Sequence, residues 1–463
     1  MRLLIVLLII VLLLSGCTEE PTGKVIEQEL IVRETSKPTE VYFCPEDECR
    51  EHLLDLLQSA NDYVHCALFD LDLPEIIEML KEKQSKIDVK LVTDKTNSEQ
   101  VSDLNPVDNE GKSQLMHNKF CVIDGDKVFT GSFNPTENGN FYNNNNMLIV
   151  YSKYLAENYE DEFQELWNNK FSSGKRVKYP IIYLNEKKIE NYFCPEDSCS
   201  KHVIDNLKEA DSEIYFMTFS FTHDGIGQTL IDKYNQGVKV QGILEKTRGS
   251  EFSEYYKLEN NSIEVKWDEY SYVMHHKVFI IDNKTVITGS FNPTKSADNS
   301  NDENILIIHD ENLAKKYLQE FERVWNFEDK LDTNEREANS ILISEVYYDC
   351  TGKDAEEEFI ELYNPTDQDV NLDYYFISND KNNQRLNGTI NFNATKIIKP
   401  KFSLSNKGGY IVLKKSFNQL DFVSWESTWN LEAKIGKSLQ RKYFDKVNSE
   451  DQWIVGIPKS TTS

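Results

Sequence analysis

Residues 115–136 read "LMHNKFCVIDGDKVFTGSFNPT", and residues 273–294 read "VMHHKVFIIDNKTVITGSFNPT". From His117/His275 to Thr136/Thr294, twelve of twenty positions are identical, without a gap, at a constant offset of 158. Average composition gives about one such identity by chance. A repeated core accounts for repeated Val and Ile. It does not select His, Lys, Asp, Gly, Ser and Asn, the residues that carry chemistry and special backbone.

The repetition extends outward from the hairpins. Each half begins with an extended segment ending in Tyr-Phe-Cys-Pro-Glu-Asp (42–47 and 192–197), followed by a helical pattern ("LLDLLQSA", "VIDNLKEA") and an apolar strand ("YVHCALFDL", "EIYFMTFSF"). Another helix and strand follow ("VKLVTDK", "VKVQGILEK"). After the hairpin come a strand ("MLIV", "ILII") and a helix ("LAENYEDEFQELWN", "LAKKYLQEFERVWN"). Phe163 and Trp167, like Phe321 and Trp325, stand four apart and predict a helix face packed on the core. Strands alternating with helices predict two α/β units, over residues 40–172 and 190–328. A polar segment without hydrophobic periodicity forms a linker at 329–340. Beyond it, short β-rich runs such as "ILISEVYYDC", "EFIELYNPTD" and "GGYIVLKK", divided by turn residues, predict an all-β sandwich over 341–460.

The 463 residues carry a formal net charge of −27, with acidic residues spread along the chain. This excludes broad non-specific attraction to nucleic acid or anionic lipid, both of which need basic surface, but leaves room for a local basic cleft. The N-terminus has one positive charge, a twelve-residue apolar run from Leu3 to Leu14, and then Ser15, Gly16 and Cys17. That run is too short for a membrane span and suits a signal-peptide core over residues 1–17, with 18–39 as a linker. Leu14-Ser15-Gly16-Cys17 resembles the lipobox of exported lipoproteins, which makes Cys17 a lipidation candidate; an unlipidated signal or a short anchor is the alternative. Each reading puts the rest of the chain outside the cytoplasm, either lipid-anchored at the outer face of the membrane or secreted.

In an oxidising compartment, the repeated Cys-x4-Cys-x2-His segments read as two local disulfides, Cys44–Cys49 and Cys194–Cys199. A zinc site using His52 and His202 is the alternative. Cys66 and Cys121, in apolar strand-like runs, read as inert core thiols.

Residues two apart on a strand share a face, so His117 projects with Lys119, and His275 with Lys277. Asp124 and Asp282 stand seven residues past their histidines, on the opposite face, and lie in the turn sequences "DGDK" and "DNKT". They read mainly as turn and scaffold residues. The returning strands end in Gly131-Ser132-Phe133-Asn134 and Gly289-Ser290-Phe291-Asn292, where Ser and Asn side chains offer donors to an anionic oxygen. With a lysine and a histidine added, each half offers a phosphate cradle beside a potential nucleophile.

His-x-Lys-x4-Asp followed by Gly-Ser-x-Asn, twice in one chain, resembles the phospholipase D superfamily over about residues 40–328. The resemblance implies a pseudo-dimer of two α/β repeats with both histidines in one cleft, and a catalytic set drawn from His117, Lys119, Asp124, His275, Lys277 and Asp282. One histidine forms a phosphohistidine and the other protonates the leaving alcohol; no metal or other cofactor is expected. The family places an acidic residue fourteen positions after the glycine of each repeat that orients a histidine, often of the opposite repeat. The second half has Glu303 near this point, whereas the first has Asn145. A crossed arrangement gives Glu303 to His117 as nucleophile and Asn145 to His275 as general acid, and the exchange leaves that division of labour open.

The C-terminal segment resembles the lamin-tail fold, an immunoglobulin-like sandwich, through "ISEVYYD", "EEEFIELYNPTDQDVNLDYYFISN" and "GGYIVL". Three functions follow from these readings. Nucleic-acid hydrolysis is favoured, a phospholipase D or cardiolipin-type lipid hydrolase is the first alternative, and a non-catalytic surface binding protein is the second. Phe252, Tyr255, Tyr256, Trp267, Tyr270 and Tyr272, just before His275, offer surfaces for base stacking, for lipid or for internal packing. The partners expected are a phosphodiester substrate and a membrane reached through the lipid anchor, with the chain itself a monomer.

Overall fold

The computed structural model describes residues 31–327, 339–379, 381–444 and 449–458. The signal-peptide and Cys17 expectations, and most of both linkers, lie outside the described residues.

Each repeat is a mixed sheet flanked by helices. In the first, the strand order is Glu40–Cys44, Asn145–Tyr151, Lys127–Gly131, Lys119–Ile123, Tyr63–Leu68, Asp88–Thr93 and Val107–Asp108. The second repeats this order with Lys187–Cys194, Glu303–His309, Thr285–Gly289, Lys277–Ile281, Glu213–Thr218, Lys239–Leu244 and Glu264–Trp267. Ile31–Glu34 and Ile181–Leu184 extend its edge.

One face of each sheet packs into a core shared by the two repeats. Val122, Tyr159 and Phe163 from the first meet Ile280, Tyr317 and Phe321 from the second in a single buried cluster. The helices Lys153–Trp167 and Glu311–Trp325 fill this layer, and Phe163 stacks on Trp167 as Phe321 does on Trp325. The other face of each sheet has a core of its own. A hydrophobic layer common to both units makes the repeats one body, because separating them returns that apolar area to water.

Disulfides join Cys44 to Cys49 and Cys194 to Cys199, while His52 and His202 stack on Tyr42 and Tyr192. With the thiols bonded to each other, the zinc alternative loses its ligands. Cys66 and Cys121 are not free thiols as the sequence suggested. They are direct cross-strand partners, 4.0 Å apart at Cα, and form a third disulfide. The 55 residues between them hide that register in the sequence.

The C-terminal segment is a sandwich of a five-stranded and a four-stranded sheet around a core containing Trp425, Phe422 and Tyr348. It docks on the first repeat. Tyr374 and Phe376 enter that repeat's outer core against Phe141 and Tyr142, flanked by the ion pairs Asp373–Arg50 and Arg385–Glu137. Phe417 packs on Tyr270, and Asn383 donates to the Tyr272 hydroxyl at 2.8 Å. Tyr270 and Tyr272 are therefore packing residues between the sandwich and the segment leading to His275.

Candidate active site

The catalytic hairpins turn at Asp124 and Asp282, both in the left-handed region at φ 53° and 51°. The Asp124 carboxylate accepts from the N–H groups of Asn61, Asp62 and Tyr63, and Asp282 from those of Asp211, Ser212 and Glu213. Burial pushes both carboxyls up, but these donors outweigh it and hold them below the usual carboxylate range. Both aspartates pin the turn to the start of the neighbouring strand. Grouping them with the catalytic set is corrected on that ground, since their oxygens are committed to those backbone N–H groups and to Lys127 and Ser212, and none bonds a histidine.

His117 and His275 sit just before the first hairpin strands, each clamped to the opposite repeat. His117 N–H donates to the Asp302 carbonyl at 3.0 Å, and Asp302 N–H to Leu115 at 2.9 Å. In the mirrored place His275 N–H donates to Asn144 at 2.8 Å and Asn144 N–H to Val273 at 3.0 Å. The side chains cross the same seam. His117 Nδ1 lies 2.8 Å from Glu303 Oε2, and His275 Nδ1 lies 2.9 Å from Asn145 Oδ1 and 3.1 Å from the Ser132 carbonyl. All these partners are acceptors, so each Nδ1 carries the proton and each Nε2 is left for a ligand.

Two further positioning residues went unread in the sequence. Asp94 accepts from Met116 N–H at 3.0 Å and Glu245 from Met274 N–H at 2.8 Å, fixing the residue before each histidine. Their matched places in "VTDKT" and "ILEKT" were the available signal.

Gly131 and Gly289 have φ of 133° and 141°, and a Cβ there would come within 2.4 and 2.3 Å of the Asn146 and Asn304 carbonyl oxygens. Only glycine allows this approach. It brings Ser132 and Ser290 behind the histidines rather than into the cleft, and both are fully buried. Ser290 Oγ donates to Glu303 Oε2 at 2.7 Å and accepts from Asn304 N–H at 3.0 Å. Ser132 Oγ accepts from Asn146 N–H at 3.0 Å. Their reading as direct phosphate donors is therefore corrected: they brace the groups that hold the histidines. Asn134 and Asn292 each bury an amide oxygen with no partner among the described residues.

Lys119 and Lys277 are buried, their ammonium groups donating to the His117 and His275 carbonyls at 2.7 and 2.8 Å and lying over the rings of Phe69 and Phe219. Burial pushes Lys119 down to about 7, and burial and then Lys119 push Lys277 well below its ordinary value. Burial lowers His117, which Glu303 partly offsets. His275 is lowered further, by burial and then by Lys277, Lys119 and His117, with no carboxylate to offset it. Because these groups lower one another, they face one cleft, in which a bound anion would favour their charged forms.

A family model described as "Cardiolipin synthase, PLD-like domain" matches residues 53–167 and 203–325, and a "Lamin Tail Domain" model matches residues 334–441. A protein named phospholipase D from Rickettsia typhi is 37% identical over 142 residues, 30% of this chain and 70% of that protein. The chain belongs to the phospholipase D superfamily of phosphodiesterases. A mitochondrial cardiolipin hydrolase from Xenopus tropicalis is 31% identical to this phospholipase D-like chain over 150 residues, 32% of it and 70% of the relative. The crystal structure of Nuc, a phospholipase D family member from Salmonella typhimurium, is 30% identical with a TM-score of 0.29, over 30% of this chain and 95% of that one. The phospholipase D-like repeats carry both histidines, and the lamin-tail unit packs on the first repeat and on Tyr270 and Tyr272 ahead of His275.

Proposed function

We propose that the chain hydrolyses phosphodiesters through a phosphohistidine intermediate, with nucleic acid as its substrate. The observation that supports this most is the crossed pairing of His117 with Glu303 and His275 with Asn145. Glu303 stabilises the positive charge that His117 acquires when its Nε2 lone pair bonds to phosphorus, so His117 is the nucleophile. His275, held by a neutral amide, is the more acidic imidazolium and donates its Nε2 proton to the departing alkoxide. The neutral His275 then takes a proton from water, whose oxygen attacks phosphorus and breaks the P–N bond. Lys119 and Lys277, whose charged forms a bound phosphate favours, stabilise the phosphoryl oxygens in this reading without a metal.

Nucleic acid is favoured by the exposed Phe252 and Tyr256 in the segment before His275, which offer stacking faces. Tyr255 instead stacks on Trp267. A lipid phosphodiester is the second reading, and the names phospholipase D and cardiolipin hydrolase carried by the relatives favour it. The three disulfides support an exported chain, and the Leu14-Ser15-Gly16-Cys17 sequence supports an anchor through Cys17. Metabolic lipid labelling that survives Cys17→Ala refutes that anchor.

The test of activity is incubation with labelled single-stranded DNA in EDTA, beside His117→Asn protein. Cleavage by the unmutated protein alone is expected. Cleavage by neither moves the assay to phospholipid vesicles, and turnover there alone replaces nucleic acid by lipid.

A further inference from the structure

Beyond the crossed pairs, the cleft is unequal in charge. On the His275 side, the Arg248 guanidinium lies 4.4 Å from the centroid of the Phe219 ring. The same ring meets His275 edge-on at 4.8 Å and carries Lys277 Nζ at 5.0 Å. Arg248 is exposed, and no carboxylate pairs with it among the described residues. On the His117 side, the position matching Arg248 is Asn97, whose amide donates to the Phe69 carbonyl at 2.7 Å. Asp70 stands where the second repeat has Ser220, held by Gln100 at 2.6 Å. One wall of the cleft thus carries a free guanidinium and the other a carboxylate.

A guanidinium laid on an aromatic face keeps its plane fixed while its N–H fork stays open, so little entropy is lost when it grips a phosphate. We propose that Arg248 forms a second phosphate subsite, on the His275 side, for the neighbouring phosphate of a single-stranded nucleic acid whose adjacent linkage is being cleaved. This rests on the hydrolase reading above. Because His275 protonates the leaving alcohol there, the phosphate on Arg248 belongs to the departing strand, and Asp70 repels one on the opposite wall. Phe252, 73% exposed and four residues along from Arg248, gives a base of that strand a face to stack on. The net charge of −27 disfavours an anionic bilayer, which needs a basic surface. A thin strand needs cations only where it passes.

The experiment compares kcat/KM for oligothymidylate and for bis(p-nitrophenyl) phosphate, whose leaving group has no second phosphate. Arg248→Ala is expected to lower the ratio of the two values about tenfold, mainly through KM for the oligonucleotide, with Arg248→Lys recovering part. The slope of log kcat/KM for the oligonucleotide against log salt is expected to flatten by about 0.7, the share of one single-strand phosphate contact. An unchanged ratio and slope overturn the subsite. An Arg248 effect on cardiolipin vesicles without one on oligothymidylate overturns the nucleic-acid assignment. If the unmutated protein turns over neither substrate, the hydrolase reading falls, and anisotropy of labelled oligothymidylate on His117→Asn protein decides the subsite separately. Weaker binding after Arg248→Ala then retains it, and equal binding removes it.

Discussion

In the half of the cleft that carries His117, Nδ1 meets the fully buried Glu303 carboxylate; in the half that carries His275, it meets the amide oxygen of Asn145 and a backbone carbonyl. Both acceptors fix the same tautomer, so the ring geometry is shared. Only one compensates a positive imidazolium. The difference teaches that a duplicated site acquires direction by changing one charge while keeping the fold, since a carboxylate near an imidazole holds its proton and an amide merely orients it.

The sharpest break of that comparison removes each histidine in turn. His117→Asn is expected to lower kcat on an oligonucleotide by at least about 10⁴-fold, whereas His275→Asn keeps the first-turnover release of p-nitrophenol from p-nitrophenyl esters, whose leaving group needs no proton. Equal losses on both substrates contradict separate roles. Next in size is the partner exchange. Glu303→Gln keeps the hydrogen bond and removes the charge, and should cost on the order of 10³-fold in kcat, against about tenfold for Asn145→Ala. Steady-state kinetics of the two variants side by side checks this.

The halves also differ in how their central strands are tied. Cys66 and Cys121 are cross-strand partners joined by a disulfide, while the matching Phe216 and Phe279 are cross-strand partners whose rings lie 5.9 Å apart. Replacing both cysteines by alanine should cost about 2–4 kcal/mol and Phe279→Ala about 3–5 kcal/mol. Denaturant unfolding monitored separately for each variant would show whether packing substitutes for the covalent link.

The smallest expected effect is on pH. Activity needs His117 neutral and His275 protonated. Burial pushes both imidazoles down, so the optimum of kcat/KM is expected below the ordinary imidazole value of about 6.5. Asn145→Glu places a carboxylate on His275, raises its pKa and should move the optimum upward by about one pH unit. It does so although Asn145 Nδ2 gives up its bonds to the Gly139 and Asn143 carbonyls. A downward shift, or none, breaks the link between Asn145 and the acidity of His275.

The hairpins were legible because chemistry-bearing residues recurred in register, and the α/β alternation and the β-rich tail followed from periodicity. What stayed hidden depends on distant pairing. The Cys66–Cys121 register is set by strands 55 residues apart, and Asp94 and Glu245 act on a backbone N–H that local sequence does not mark. Ser290 looked like a phosphate donor because its spacing puts a hydroxyl near the histidine. Only the close Gly289 approach shows that the hydroxyl lies behind it, on Glu303. The aromatic run before His275 divided three ways, with Tyr270 and Tyr272 packing on the lamin-tail sandwich, Tyr255 on Trp267, and Phe252 left in solvent.

The measurement that tests the account most directly is mass spectrometry of protein quenched after mixing with bis(p-nitrophenyl) phosphate, in His275→Asn and His117→Asn backgrounds. The account predicts a p-nitrophenyl phosphate adduct on His117 that accumulates in His275→Asn protein, because attack proceeds without an acid and the base for its hydrolysis is missing. An adduct on His275 in His117→Asn protein, with none in the other, would contradict the assigned direction of the cleft.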